Sequence, residues 1–287
     1  MVANTPNAAA PYDARPDDAG TMFAIELPNG SGGKSIMLMD ALGGRDQIVA
    51  TAVRSSWLEF ERPLPAMFHA WVARDPGVVI DVGANTGFYA CLAFFASPKA
   101  RVLAFEPYRA VFDVLGRNIA ANKSRGRIEP VPLALSNGVG TASLYVPTQE
   151  HGLMETSASL EQAFKEAHSE AQSVQTVTLD AFLAVHPCAH ERVTLIKMDV
   201  EGHEAAVLAG GRQTIARWRP LLFVEVLPPA DAAALTRFLV EDNYVDVPLR
   251  SDAPLHPEQQ VRFHGDSWNH ALVPAEAAAQ FLLLSNS

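Results

Sequence analysis

The sequence predicts a doubly wound α/β fold, a mostly parallel Rossmann-like sheet with a small N-terminal β-hairpin and helical extension. Three observations carry that expectation. From residue 77 onward, short apolar and β-branched runs alternate with helical stretches. A glycine-rich turn, Asp81-Val82-Gly83-Ala84-Asn85-Thr86-Gly87, separates the first such run from the helix after it. An acid, Glu106, closes the second run, in Phe105-Glu106-Pro107. Near-continuous apolar strands joined by helices are those of a parallel sheet covered on both faces, and the end of a strand that opens a helix is where such a sheet places its ligand.

In chain order, residues 1–20 are rich in Ala, Pro, Asp and Asn, show no periodicity and read as a flexible tail. Residues 21–76 form the extension. Met22–Leu27 and Lys34–Met39 flank the turn-rich Pro28-Asn29-Gly30-Ser31-Gly32-Gly33 as a hairpin. Between Asp46 and Arg74 the pattern is helical, with Leu64, Met67, Phe68 and Trp71 on one face. Trp57, Phe60, Phe68 and Trp71 read as core or contact residues. Residues 77–287 are the main domain, its sheet-and-helix core expected over 77–248. The strands are 77–82, 101–105, 128–133, 193–198 and 221–226; the helices are 88–96, 109–122, about 203–216 and about 230–242. Residues 148–172 interrupt this alternation as a long, polar, weakly helical insertion with Leu160 and Phe164 on one face, placed as a lid or loop.

Composition narrows the function. With 48% hydrophobic and 19% charged residues the chain buries a substantial core. Lys and Arg number 22 against 32 Asp and Glu, a net charge of −10, which repels phosphate backbones and argues against a nucleic-acid partner. Cys91 and Cys188 are too few for a disulfide framework or a four-cysteine zinc site. No apolar run approaches the roughly 18 residues of a membrane helix, and the N-terminal segment lacks the basic and apolar regions of a secretion signal. The expectation is a cytoplasmic protein without a membrane partner, its oligomeric state open, a homodimer included.

The glycine loop excludes some ligands and favours others. A dinucleotide fingerprint would place glycines at 83, 85 and 88, where this chain has Gly83, Asn85 and Phe88, and no Gly-Lys pair of a nucleotide-triphosphate loop follows. Gly83 and Gly87 still let backbone approach a ligand closely. Glu106, about 20 residues past the loop, is placed to accept both hydrogen bonds of a ribose diol.

These segments resemble a family. DVGANTGFY, AFEPY and above all Ile196-Lys197-Met198-Asp199-Val200-Glu201-Gly202-His203-Glu204, followed by Val207-Leu208-Ala209-Gly210-Gly211, look like the FkbM-type S-adenosylmethionine-dependent methyltransferases of the class I, Rossmann-like fold. The resemblance covers residues 78 to about 226. It implies S-adenosylmethionine as cofactor and an O-methyl acceptor among small molecules, sugars or natural products. It further implies that Asp81, Gly83, Asn85, Thr86 and Gly87 surround the methionine part of the cofactor and that Glu106 holds its ribose. Pro107 would shape the adenosine pocket, Ala134-Leu135-Ser136-Asn137 flank the adenine, and Asp199 stand beside the methyl group. Other chemistry on the same cofactor, N-methylation or cyclisation, and a non-catalytic binding protein are the alternatives.

A neutral hydroxyl needs a base, and Asp199, Glu201 and His203, just past a strand end, are the catalytic candidates; histidine as a residue type suits that duty near neutral pH, but His203 is not carried over from the family. Glu204 reads as an acid at a helix N-terminus. A divalent metal on Asp199, Glu201 and Glu225 suits the preference of hard cations for oxygen, although the spacing does not demand it. His151, His168, His264 and His270 are placed in loops or in the insertion and given no role.

Overall fold

The computed structural model describes residues 22–29, 33–43, 45–147, 158–161, 169–228, 230–251 and 253–286. The expected tail, and with it most of the insertion together with His151 and His168, lies outside the described residues.

Seven strands build the main sheet. β3 (Val78–Val82), β4 (Arg101–Phe105), β5 (Ile128–Val131), β9 (Val193–Met198) and β10 (Leu221–Glu225) are parallel, and β11 (Tyr244–Pro248) and β12 (Asn269–Pro274) complete the order β11-β12-β10-β9-β3-β4-β5. Only β12 runs against its neighbours in this sheet. The strands are apolar on both sides, and alternate residues feed two cores. Val79, Val102, Ala104, Leu195 and Phe223 face one; Ile80, Leu103, Phe105, Ile196 and Leu222 face the other. The first core is covered by α2 (Leu64–Arg74), α3 (Phe88–Ala96) and α4 (Arg109–Ala121), the second by α5 (Leu179–Val185), α6 (Glu204–Gly210), α7 (Arg212–Trp218) and α8 (Ala232–Asp242). Among the described residues no helix is long and apolar enough to cross a membrane.

The expected strands and helices of the alternating region are present, with differences at breaks and at the C-terminal side. The helix expected over 203–216 is two, α6 and α7, divided at Gly211. The helical stretch 46–74 is also two, α1 (Gln47–Arg54) and α2, joined by a loop. The sheet does not end at residue 248, because β12 inserts between β10 and β11. His270 is therefore no loop histidine. It is fully buried in β12, with Nδ1 2.9 Å from Asp246 on the adjacent strand. A polar residue inside an apolar strand is tolerated when a neighbouring strand supplies its partner.

A second sheet of three strands, β6 (Ala134–Leu135), β8 (Ser169–Val177) and β7 (Gly140–Pro147), in the order β6-β8-β7, was not expected. Residues 169–172, assigned to a weakly helical insertion, are strand. The register pairs Leu144 with Gln172 and Ala142 with Val174, and buried Leu144, Val146 and Val174 alternate with polar neighbours. That period of two, split across an intervening stretch, is a half-buried hairpin. Residues 158–161 return to it, with Tyr145 and Ser159 exchanging backbone hydrogen bonds of 2.8 and 3.1 Å.

The N-terminal hairpin, β1 (Met22–Pro28) and β2 (Lys34–Asp40), is fastened to the sheet layer through α4. Asn122 both accepts from Leu38 N (2.8 Å) and donates to Leu38 O (2.7 Å). Fully buried Asn118 accepts from Asp40 N at 2.8 Å and donates to Thr86 O at 2.7 Å, tying the hairpin to the glycine loop. Trp57, Phe68 and Trp71 are buried in the same core. Removing a side chain that satisfies buried backbone groups costs about 1–3 kcal/mol. Asn118→Ala is expected to lower unfolding stability in urea by that amount, and an unchanged midpoint would contradict the assigned linkage.

Candidate functional site

At the carboxyl ends of β3, β4, β9 and β10 lies a crevice of about 810 Å³. One wall is the glycine loop. Gly83 N and Ala84 N both donate to Phe105 O, at 3.0 and 2.9 Å, holding the loop across the end of β4. Gly83 has φ +72°, and a Cβ there would stand 1.9 Å from the carbonyl oxygen of Asp199, so the turns after β3 and β9 meet at a distance only glycine allows. Gly87, φ +93°, starts α3 against Leu115. Glu106 organises the other side of the loop. One of its carboxylate oxygens accepts from Asn85 N at 2.9 Å and the other from Tyr108 N at 2.8 Å. Each oxygen keeps a lone pair for a further donor. Burial pushes the Glu106 carboxyl up to about 7 despite those two amides.

The turn after β9 supplies the floor. Glu201 and Gly202 both have positive φ, +56° and +101°, which folds Val200–His203 back over the sheet edge. Glu204, buried, accepts from Gly202 N at 3.0 Å, the helix-start role expected for it. His203 is bonded through both ring nitrogens, Nε2 to Ser136 Oγ at 2.9 Å and Nδ1 to Glu161 Oε1 at 2.7 Å. Ser159 Oγ donates to Glu201 O at 2.8 Å. Residues 158–161 of the insertion thus rest directly on this turn.

Carboxylates crowd the crevice. Asp199 lies just past β9 and Glu225 ends the adjacent β10, and Asp199, Glu201 and Glu225 bring ligand oxygens within 4.8 Å of one another, the spacing a cation would need. Charge there is met by the protein itself. Lys197, buried, donates to Asp199 Oδ2 at 3.1 Å and lies 4.7 Å from the Tyr89 ring centroid. Burial, then Asp199 and Glu201, pushes the Glu225 carboxyl far above the usual carboxylate range. Asp81, opposite Lys197 in the strand register, is raised to about 6 by burial, with Lys197 opposing.

Of the residues the sequence singled out, Gly83, Asn85, Glu106, Pro107, Leu135, Asp199, Glu201 and His203 line the crevice. Asp81, Thr86, Gly87 and Ser136 do not; they stand behind it, Asp81 beneath the strand ends, Thr86 and Gly87 in the start of α3, and Ser136 against His203. Sequence reasoning missed Glu61, Tyr89 and Lys197 as site residues, and gave Glu225 only a cation-binding role. Glu61, in the loop between α1 and α2, lines the crevice and accepts from Tyr89 Oη at 2.7 Å. Lys197 was in plain view inside the quoted Lys-x-Asp block; an acid in an extension loop carries no comparable signal.

A family model described as "Methyltransferase FkbM domain" matches residues 81–245. Methyltransferase sdnD of Sordaria araneosa is 27% identical over 203 residues, covering 63% of this chain and 78% of that protein. Hexuronic acid methyltransferase AglP of Haloferax volcanii is 29% identical over 170 residues, 59% of this chain and 64% of that protein. 2-O-methyltransferase NoeI of Sinorhizobium fredii is 32% identical over 164 residues, 50% of this chain and 61% of that protein. The chain thus spans less than two thirds of the last two.

Gly83→Ala would force the Asp199 carbonyl aside, with no flexible group to yield. Overpacking of that kind costs about 1–3 kcal/mol, and the positive φ adds to it. The expected result is a marked drop in melting temperature, read by circular dichroism; an unchanged melting temperature would show that the two turns are not in contact.

Proposed function

This chain belongs to the FkbM methyltransferase family, and on that premise we propose that its crevice delivers a methyl group from S-adenosylmethionine to a hydroxyl oxygen of a small polyhydroxylated molecule, a sugar or related natural product. When bound, S-adenosylmethionine supplies an electrophilic methyl group on a cationic sulfur. The site suits that cofactor on its own chemistry: the glycine turn at Gly83 lines one wall of the crevice with backbone, Glu106 has acceptor capacity for a ribose diol, and carboxylates line it for a positive charge. The observation that carries the reading is the pairing of the Glu106-fastened glycine loop with the carboxylates of Asp199 and its neighbours across one crevice.

In this proposal Gly83 and Asn85 present backbone to the methionine part of the cofactor, and Asp81, Thr86 and Gly87 support them from behind. Glu106 accepts from the ribose. Pro107 and Leu135 form the adenosine walls, with Ser136 acting through His203. Asp199 faces the reacting methyl, and Glu201 and His203 bound the space of the acceptor. Alignment of the reactants is the main source of rate in such a displacement. That hydroxyl oxygen is the target is supported by the name of one relative, a 2-O-methyltransferase.

The acceptor's charge follows from the walls. Besides the groups already named, Asp46, Glu59 and Asp266 line the crevice, while Lys197 is occupied by Asp199 and Arg62 lies 3.9 Å from Glu59. An anionic acceptor would enter against like charge, so the acceptor is neutral or cationic, and a phosphate-bearing nucleic acid is disfavoured. A cytoplasmic setting accords with this reading.

Calorimetry should detect binding of S-adenosylmethionine and none of NAD; the reverse result would refute the methyl-donor reading. Glu106→Gln removes a charged acceptor worth about 1.5–3 kcal/mol and should weaken S-adenosylmethionine binding about 10–100-fold. In a second assay, label from the methyl donor is followed into the methyl glycosides of glucose, mannose, fucose, glucosamine and glucuronic acid. Neutral and amino sugars should be methylated in preference to the glucuronide; preference for the glucuronide would sink the charge argument.

A further inference from the structure

Methylation of a hydroxyl leaves one proton to place. The O–CH3 bond forms as the CH3–S bond breaks, the electron pair of the broken bond stays on sulfur, and the hydroxyl proton must pass to a base. His203 is poorly placed to take it, since both ring nitrogens are engaged, by Ser136 and Glu161. Glu106 spends its oxygens on Asn85 and Tyr108, Glu204 spends one on Gly202, and Asp199 is paired with Lys197.

Three carboxylates reach the crevice from the N-terminal extension: Asp46, which caps α1 by accepting from Val49 N at 2.9 Å, Glu59, which faces Arg62 at 3.9 Å, and Glu61. Glu61 stands in the loop between α1 and α2, half-buried, with φ +50°, a left-handed conformation that costs a non-glycine residue about 1–2 kcal/mol. Backbone strain of this kind persists where the surroundings hold a side chain at a set point. Here the hold is Tyr89, whose hydroxyl donates to Glu61 Oε2 at 2.7 Å and whose ring lies over Lys197. The carboxylate keeps acceptor capacity beyond that single hydrogen bond.

We propose that Glu61 is the proton acceptor of the methyl transfer and that the arrival of the cationic donor is what readies it. The proposal rests on the methyl-donor reading of the crevice. The charged groups facing Glu61 come from four elements: Lys197 on β9 and Asp199 just past its end, Asp81 on β3, Tyr89 on α3 and Glu225 at the end of β10. Burial pushes Glu61 up, Lys197 opposes, Asp199 adds to the rise, Tyr89 opposes and Asp81 adds, leaving it at about 7. A group there is in part protonated in the free protein near neutrality. A positive sulfur nearby favours the ionised form, so donor binding expels the proton and leaves a base beside the acceptor.

The experiment is calorimetric and needs no acceptor. S-adenosylmethionine is titrated into the full chain near pH 7, the region where Glu61 titrates, in buffers of low and high ionisation heat, and proton release is taken from the difference. The full chain should release a substantial fraction of a proton. Glu61→Gln should release less than half as much and should still bind the donor, weakened by about tenfold or less, as the lost attraction to the cationic sulfur requires. S-adenosylhomocysteine, with a neutral sulfur, should release less than the donor. Tyr89→Phe, which keeps Glu61 and deletes its hydrogen-bond donor, should move the release to higher pH. Equal release by Glu61→Gln, or an unmoved pH profile in Tyr89→Phe, overturns the proposal. So does loss of donor binding by a folded Glu61→Gln protein, which would make Glu61 a donor contact. Absence of donor binding by the unmodified chain defeats the methyl-donor reading instead. With any glycoside of the panel that is methylated, Glu61→Gln should lower kcat about 10²–10⁴-fold and erase the rising limb of its pH profile; a retained limb overturns the assignment.

Discussion

A single buried ammonium makes the crevice possible. Lys197 sits on β9 between Asp81 on the neighbouring strand and Asp199 two residues on, under the ring of Tyr89. Burial alone would discharge it, yet its pKa is raised, because Asp199, Asp81 and Glu61 outweigh desolvation. The reverse dependence is as strong. A set of carboxylates at adjoining strand ends could not share one pocket without a fixed positive charge or protons to dilute their repulsion. Lys197 is thus structural to the fold and electrostatic to the site at once. The Lys-x-Asp spacing follows directly: residues two apart on a strand point to the same face, so the lysine and the aspartate meet at the sheet edge.

Around this pair the N-terminal extension is part of the site and no mere preface to it. Asn118 connects the hairpin to the loop that begins α3, and the loop after α1 delivers Glu61 to the crevice. Both links run between segments far apart in sequence. The small three-stranded sheet acts from the other side, through Ser159 and Glu161 on the Glu201–His203 turn. The glycine loop at Gly83, Ser136 and residues 159–161 thus converge on the few residues after β9, where positive φ at Glu201 and Gly202 sets the direction of the backbone.

How much of this was legible in the sequence depends on whether the signal was local. β3, β4, β9 and β10 and the helices after them announce themselves by unbroken apolar runs, and Gly83, Gly87, Glu106 and Asp199 by their distances from strand ends. The hairpin of β7 and β8 was not read because its alternating strands flank a long polar stretch whose composition dominates the window. His270 looked like a loop residue because its partner, Asp246, is 24 positions away, and only pairing of β11 with β12 makes the two neighbours. Glu61 was invisible for the same reason: its importance lies in Tyr89, Lys197 and Asp199, none of them near it in the chain. Lys197 is the instructive case, since it was quoted as part of a motif but given no duty. A buried lysine explains itself only once the surrounding acids are placed.

The position of β12 has one more consequence. This strand, Asn269–Pro274, is wedged between β10 and β11, which precede it in the chain. Until those residues leave the ribosome, β10 and β11 cannot be joined, and each offers an unpaired apolar margin of hydrogen-bonding groups. Between the emergence of β11 and that of β12 the sheet therefore lacks the strand that links β10 to β11, and that strand enters antiparallel to both. With the slot unfilled, β10 and β11 each present an adhesive margin, so loss of β12 would expose two edges where the native sheet has none.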